Sequence, residues 1–153
     1  MKIGRIKIVD KFVIRNRMRD DDTPYITRWR IFDSPWFGIF VHRMHRPDAQ
    51  PVHHNHPWAF VSFILRGGYR ESFIDPADGE VKVRQIRWFN RKGLADAHYI
   101  VALDRLPTWT LVFVGRTRRK WGYVIPTTMF GQSAGTRFVP WDESEFHKHL
   151  ERP

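Results

Sequence analysis

The sequence predicts an all-β protein built from about ten short strands. Most of the chain alternates polar and apolar residues, or runs apolar over a few residues, between turn residues. The clearest turn is Asp75–Gly79, where a Pro presets the first turn dihedral and a Gly tolerates positive φ. Asp33–Pro35 and Asp104–Pro107 contain similar turn residues. Short strands at this spacing are typical of a sandwich or a barrel.

The elements follow from this pattern in chain order. Strands are predicted at residues 2–9, 11–16, 25–33, 36–45, 58–66, 68–75, 80–89, 97–103, 108–115 and 120–125. Arg19–Pro24 is charged and is predicted to be a loop. Residues 126–139 are rich in Thr, Gly and Ser and are predicted to be irregular. A short C-terminal helix is predicted at 142–151, where Asp142 can cap and Glu145 follows three residues later.

Composition predicts a single domain that spans residues 1–153. The chain contains no Cys, so disulfides and thiolate metal sites are excluded. Charges interrupt the apolar residues of the first ten positions, which argues against a signal peptide. No stretch approaches the roughly 20 apolar residues of a membrane helix. We therefore expect a cytoplasmic protein without a membrane partner.

The formal net charge is +10, from 26 basic and 16 acidic residues. Such a surface attracts polyanions such as nucleic acid, but individually solvated Arg residues are the favoured interpretation. The one tight basic cluster, Arg116–Lys120, lies between two apolar segments and is interpreted as a hairpin tip. A nucleic-acid partner is therefore considered but not favoured. The sequence leaves a homo-oligomer open.

Three imidazoles stand close together in the segment Pro51–Pro57. In an extended backbone, His54 and His56 lie on one face while His53 points to the other. His98 follows 42 residues after His56, on another predicted strand. Neutral imidazole binds zinc, iron, copper and nickel, so the pair and the distant third His predict a divalent-metal site. An accidental cluster of His in a loop is the alternative.

The sequence His54-Asn55-His56, the strand after it and the turn Arg66–Tyr69 resemble the first half of the cupin signature. His98, within Ala95–Val101, resembles the His of the second half. This resemblance implies the double-stranded β-helix, or jelly-roll barrel, with metal ligands inside. Phe60 and Val61 stand where the family usually has a ligating Glu, and the Gly and Pro that normally precede the last His are absent.

Without that carboxylate, the centre resembles the three-His non-haem iron site of thiol dioxygenases within the same superfamily. The resemblance implies His54, His56 and His98 as ligands and favours Fe(II), with Zn, Ni or Mn as other candidates. A further similarity, to small cupin-like proteins of actinobacteria and their phages, lies in four segments and implies no activity. These segments are Arg28–Phe32, Pro35–Gly38, His56–Trp58 and Val139–Trp141.

Several other side chains are candidates for the surroundings of the metal. Asp96 lies two residues before His98 on the same predicted face, so it could orient the imidazole or complete the coordination. Glu71 is the other carboxylate that could replace the missing family Glu. His42, Trp58 and Ser62 are candidate pocket-lining residues. An ordinary surface or core position is the alternative for each.

The leading functional hypothesis is a small metal-dependent cupin enzyme, an oxygenase acting on a small polar or anionic molecule. One alternative is a non-catalytic metal- or ligand-binding structural module, such as a phage-associated one, because one fold hosts many functions. Another is a metal-free sugar-nucleotide isomerase that uses His54 or His56 as a base.

Overall fold

The structure is a computed structural model that describes residues 7–15, 24–49, 51–129 and 132–143. Within these ranges the chain forms eleven strands and one 3-10 turn, Trp141–Glu143. The strands are β1 (Lys7–Arg15), β2 (Pro24–Asp33), β3 (Phe37–Met44), β4 (Phe60–Arg66), β5 (Tyr69–Ile74), β6 (Val81–Ile86), β7 (Phe89–Lys92), β8 (His98–Leu103), β9 (Thr108–Gly115), β10 (Gly122–Met129) and β11 (Gln132–Pro140). The all-β prediction is thereby confirmed.

Six strands form the first sheet, in the order β1-β2-β3-β9-β4-β7. All its neighbouring strands are antiparallel. The alternation of β3 shows how this sheet is placed, because Phe40 and Met44 are buried while Phe37 is exposed. Residues with the parity of Phe40 therefore face the interior, and those with the parity of Phe37 face outward.

The second sheet consists of two parts, β6-β5-β8 and β10-β11. Residue 54 joins the two parts, because it pairs as an isolated bridge with His98 on one side and with Tyr123 on the other. The histidine segment thus takes the place of a strand between β8 and β10. This position fixes its backbone at both edges.

The two sheets pack face to face around a mixed core. One buried cluster combines Ile26 and Met44 of the first sheet with Tyr69, Ile86 and Ile100 of the second. A second cluster, Phe40, Val112 and Val114, lies against Trp58 and Phe60. Burial of such side chains contributes roughly 1.5–3 kcal/mol each. The core therefore packs β8, the strand that carries His98, against the first sheet.

The predicted strand at 80–89 is confirmed for Val81–Ile86 but is too long, because the chain turns a corner after Ile86. A bend at Arg87 and Trp88 separates β6, which pairs with β5, from β7, which pairs with β4. The backbone N–H of Ile64 donates to the Trp88 carbonyl (2.8 Å) and fixes the corner. This crossing from one sheet to the other brings Asn90 and Lys92 inside.

The prediction that residues 126–139 are irregular is also wrong for 126–129 and 132–139, the part of this range that the structure describes. β10 continues to Met129 and pairs with β11 from Gly122↔Pro140 to Met129↔Gln132. β-branched Thr and Val residues support the strand geometry despite the polar composition. The basic segment Arg116–Lys120 is not a hairpin tip either, because it connects β9 of the first sheet to β10 of the second.

The predicted C-terminal helix at 142–151 lies almost wholly outside the described residues, which include only the 3-10 turn at its start. The predicted loop Arg19–Pro24 also falls outside them, except for Pro24, the first residue of β2. Among the residues that the structure describes, no helix has the length and apolar character of a membrane span.

Candidate metal centre

The backbone of the histidine segment is hydrogen-bonded on both sides. His54 and His98 exchange two bonds, from His54 N to His98 O (2.9 Å) and from His98 N to His54 O (3.0 Å). On the other edge, Val124 N donates to the His53 carbonyl (2.8 Å). An extended backbone held in this way turns His54 and His56 to the same side, as the alternation predicts.

Asn55 fastens the segment between the two histidines. Its backbone N–H donates to the Gly122 carbonyl, and its side-chain Oδ1 accepts from Gly122 N, both at 3.0 Å. The side chain is only 2% exposed, so these bonds are shielded from water. Asn55 and Gly122 therefore act as a clamp that fixes the positions of His54 and His56.

The three predicted ligands, His54, His56 and His98, come together. Their imidazole nitrogens all lie within 4.8 Å of one another. The Nε2 atoms of His56 and His98 are 2.9 Å apart. Two imidazole nitrogens bound side by side to one ion at about 2.1 Å would lie roughly 3 Å apart. The donor set and its spacing therefore fit a divalent metal ion.

Two of the rings are oriented by hydrogen bonds on their other side. The Nδ1 atom of His98 lies 2.8 Å from Oε2 of Glu71, and a carboxylate can only accept, so Nδ1 carries the proton. The ring of His54 donates to the Val52 carbonyl. In neutral His98 the Nε2 atom is left as a lone pair that faces His56. Such outer partners set the tautomer of a metal-binding His.

Burial keeps His54 and His56 neutral. It lowers the pKa of His54 to about 4, while the nearby charge of Asp48 acts in the opposite direction. Burial, reinforced by the charges of His98 and His54, also holds the pKa of His56 well below its usual value. At neutral pH both rings are therefore in the uncharged form that binds metals.

Glu71 is fully buried at the centre of a network of polar groups. Lys92 Nζ lies 2.9 Å and Arg84 Nε 2.7 Å from its Oε1 atom, while Asn90 Nδ2 donates to Oε2 (2.8 Å). Burial alone would raise the pKa of Glu71, but the hydrogen bond and charge of His98, together with Lys92, lower it well below the usual range. Glu71 is therefore ionised and braced behind His98.

Phe60, which stands where the cupin signature usually has a Glu, packs against His56 and supplies no metal ligand. Its ring meets that of His56 edge-on, with centroids 4.9 Å apart. Trp58 and Phe60 both pack against the cluster of Phe40, Val112 and Val114. Ser62 is buried two residues after Phe60, on the same face of β4. The ring of Phe60 therefore gives the site an apolar wall beside His56 and His98.

The remaining predicted residues lie apart from the three-histidine group. Asp96 accepts a hydrogen bond from the Gly93 backbone N–H (2.7 Å) and contributes to the turn before β8. His42 faces the interior from β3, opposite Arg28 and Thr110. Its Nε2 atom is buried and has no hydrogen-bond partner among the described residues.

Four residues of this site were not found from the sequence: Asp48, Asn55, Asn90 and Lys92. Asp48 accepts from the Tyr25 hydroxyl and from Ile100 N (2.5 Å), and its charge acts on His54. The sequence offers no signal for Asn90 and Lys92, because alternation would place Phe89 inside, whereas Phe89 is exposed and the two polar side chains are buried. Their common partner, Glu71, lies on a strand of the other sheet.

No protein-family model and no curated protein sequence matches the chain. Solved structures do match its fold. A cupin-2 domain protein of Rhodospirillum rubrum has a TM-score of 0.50 at 15% identity, over 74% of this chain and 73% of that one. CapF, in complex with the inhibitor 3-isopropenyl-tropolone, has a TM-score of 0.52 at 14% identity, over 71% of this chain.

A variant of oxalate decarboxylase from Bacillus subtilis has a TM-score of 0.50 at 12% identity and covers 78% of this chain. The chain spans only 30% of CapF and 32% of the decarboxylase. At these identities the likeness concerns the fold alone. The chain has the cupin fold, and the resemblance predicted from its histidines is confirmed at that level.

Proposed function

We propose that this chain is a small metal-dependent cupin enzyme in which His54, His56 and His98 hold one divalent ion. The observation that carries the proposal is the convergence of three imidazoles, whose nitrogen atoms lie within 4.8 Å of one another. Three protein ligands leave open positions, which is typical of catalytic rather than structural metal sites.

We favour Fe(II) and an oxygenase reaction on a small polar or anionic molecule, with Zn, Ni and Mn as other candidates. The absence of a carboxylate among the three ligands supports this choice, because it resembles the three-His iron sites of cupin thiol dioxygenases. When bound, Fe(II) would supply dioxygen chemistry at its open positions.

The residues of the chain prepare the site for such an ion. Glu71 holds the proton of His98 on Nδ1 and presents Nε2 to the ion. Phe60 restricts water on the side of His56. The Asn55–Gly122 clamp fixes the spacing of His54 and His56, so little reorganisation is needed on binding.

The test is elemental analysis of protein loaded with Fe(II) under anaerobic conditions, for the wild type and for His54→Ala and His98→Ala. We expect about one ion per wild-type chain and a large loss in both variants, while His45→Ala, outside the group, keeps its metal. Equal metal content in all four proteins would rule the site out.

Oxygen consumption then separates an enzyme from a binding module. Metal-loaded protein should consume oxygen with a member of a panel of thiols, keto acids and sugars, and His98→Ala should not. If the wild type holds its metal but turns over no member of the panel, a non-catalytic metal-binding module is the better description.

A further inference from the structure

The outer face of the first sheet, away from the candidate metal site, is covered by apolar side chains. A single cross-strand row runs over five strands, with the pairings Trp29↔Val41, Val41↔Leu111, Leu111↔Phe63 and Phe63↔Phe89. We call this surface, together with the neighbouring outward residues of the same strands, the outer face.

Aromatic rings on the outer face are open to solvent. Phe63 is 45% exposed and Phe89 is 62% exposed, and Phe63 meets the exposed Phe113 edge-on with centroids 6.0 Å apart. At the β2 end of the row, the ring of Trp29 stacks on that of Trp109, with centroids 5.3 Å apart. Contiguous exposed apolar surface of this kind marks a site of interaction.

Cations border the aromatic row. Arg43 and Arg66 both pair in register with Trp109, and the Arg43 guanidinium lies 5.7 Å from the centre of that ring. Arg91 pairs with Val61 on the opposite side of the row. Arg43 and Arg91 have the outward parity of this row, and the register shift between Ile64 and Arg66 turns Arg66 to the same side, so the outer face carries both rings and positive charges.

Acidic residues are almost absent from the strands that build this surface. A single acid, Asp33 at the end of β2, occurs in β2, β3, β4, β7 and β9. Its Oδ2 atom lies 3.6 Å from Nε of Arg30. The whole chain has a formal net charge of +10. The outer face therefore complements a negatively charged partner.

A shallow groove of about 490 Å³ extends the outer face at the corner between β6 and β7. Leu65 and Arg66 of β4 and Arg87 and Trp88 of the corner line it, with Asp104 at its edge. Trp88 is 81% exposed. The groove again places a flat ring beside two guanidinium groups.

A second copy of the chain is a poor occupant for this surface. Two outer faces in contact would bring Arg43, Arg66 and Arg91 of one copy near the same cations of the other, and Asp104 at the groove edge offsets only part of this charge. Like charges across an interface oppose association. A partner with flat rings and regular negative charges satisfies both features of the outer face.

We infer that the outer face binds single-stranded nucleic acid, with bases stacked on Phe63, Phe89 and Trp88 and phosphates paired with Arg43, Arg66 and Arg91. Stacking on exposed aromatic residues flanked by cations is a general mode of single-strand binding without sequence preference. The inference is independent of the proposed metal chemistry, because that site lies on the interior side of the sheets.

The test is fluorescence anisotropy with labelled single-stranded DNA and RNA of about 15 nucleotides, over roughly 50 to 200 mM salt. We expect binding that weakens steeply with salt and that prefers single strands over a duplex of equal length. Phe63→Ala and Phe89→Ala should each weaken binding at least about fivefold, since one stacked base is lost. Phe138→Ala, a similarly exposed ring on β11, should leave binding unchanged.

The contribution of the Arg side chains to binding is measured by the salt dependence of the affinity. Arg66→Gln should reduce the slope of log K against log salt by about one, whereas Arg70→Gln, an exposed Arg on the second sheet, should not. Undetectable binding at low salt, or binding that Phe63→Ala and Phe89→Ala leave unchanged, would overturn the inference. The inference would also be overturned if the wild type were a dimer that Phe63→Ala and Phe89→Ala dissociate while oligonucleotide binding stays unchanged.

Discussion

Glu71 and His98 are joined by a hydrogen bond of 2.8 Å although 27 residues separate them in the sequence. The bond connects the proposed metal ligand to a buried carboxylate that two cations hold from behind. Glu71 therefore takes the supporting role that the sequence could only suggest for it or for Asp96.

Glu71→Gln should weaken metal binding by about 10- to 100-fold, because an amide orients the His98 ring less strongly than a carboxylate does. A competition titration against a chelator measures the change. Asp96→Asn is the matched control, because Asp96 accepts its hydrogen bond from Gly93 N, whereas the His98 ring is bonded to Glu71. The metal affinity of this variant should equal that of the wild type. Equal losses in both variants would assign the orienting role elsewhere.

Lys92→Met should destabilise the protein by roughly 3–5 kcal/mol, because the fully buried Glu71 loses its most buried cation. Lys92 is 2% exposed and lies 2.9 Å from Glu71. Urea unfolding of the metal-free protein gives the free energy of unfolding.

Lys82→Met is the control for Lys92→Met, because Lys82 pairs with Asp75 and Asp78 at the surface. Surface ion pairs contribute little to stability. We expect a much smaller loss of unfolding free energy from Lys82→Met. A comparable loss in both variants would show that burial of Lys92 does not make its ion pair more important for stability.

Local patterns predicted most of the fold. Alternation and turn residues located nearly every strand, including Thr108–Gly115 at its full extent. The predicted break between strands 2–9 and 11–16 is wrong, because β1 runs through residue 10. The same alternation placed His54 and His56 on one face. These features depend on neighbouring residues along the chain, and a single sequence contains that information.

The failures concern contacts between distant segments. The bend at Trp88 is set by pairing with Ile64, and nothing local distinguishes it from a continuing strand. Asn90 and Lys92 meet Glu71 only because β7 crosses to the other sheet. The strand at Gln132–Pro140 forms against β10 despite a turn-like composition, because pairing overrides propensity.

Gly122→Ala should reduce both stability and metal affinity. A Cβ atom at this position would lie 2.3 Å from the Val139 carbonyl oxygen, which belongs to the backbone and cannot swing away. Relief requires β10 to shift, and β10 holds Asn55 and so the histidines. Overpacking of this kind costs about 1–3 kcal/mol.

Thermal unfolding and the chelator titration measure the two effects of Gly122→Ala. Gly115→Ala provides the comparison, because its Cβ atom would meet only the Ala59 carbonyl at 3.5 Å, an ordinary contact. If Gly122→Ala keeps the wild-type metal affinity while its stability falls, the clamp does not control the ligand positions.

His42 should make the metal-free protein less stable in mild acid. Burial, with the charge of Arg28, holds the pKa of His42 well below its usual value. Below about pH 6.5 the unfolded chain binds a proton at this residue that the folded chain refuses. Stability is therefore highest above that pH and is lost as the pH falls towards the folded pKa.

His42→Leu removes this contribution, so its free energy of unfolding should fall less than that of the wild type between pH 7 and pH 5. One such group accounts for at most about 2 kcal/mol over this interval. Urea unfolding in the presence of a chelator measures the difference, since the other histidines contribute equally to both proteins. At pH 7 the variant should be no less stable, because the unpartnered Nε2 atom is gone. Parallel pH profiles for the two proteins would mean that His42 becomes protonated in the folded chain as readily as in the unfolded one.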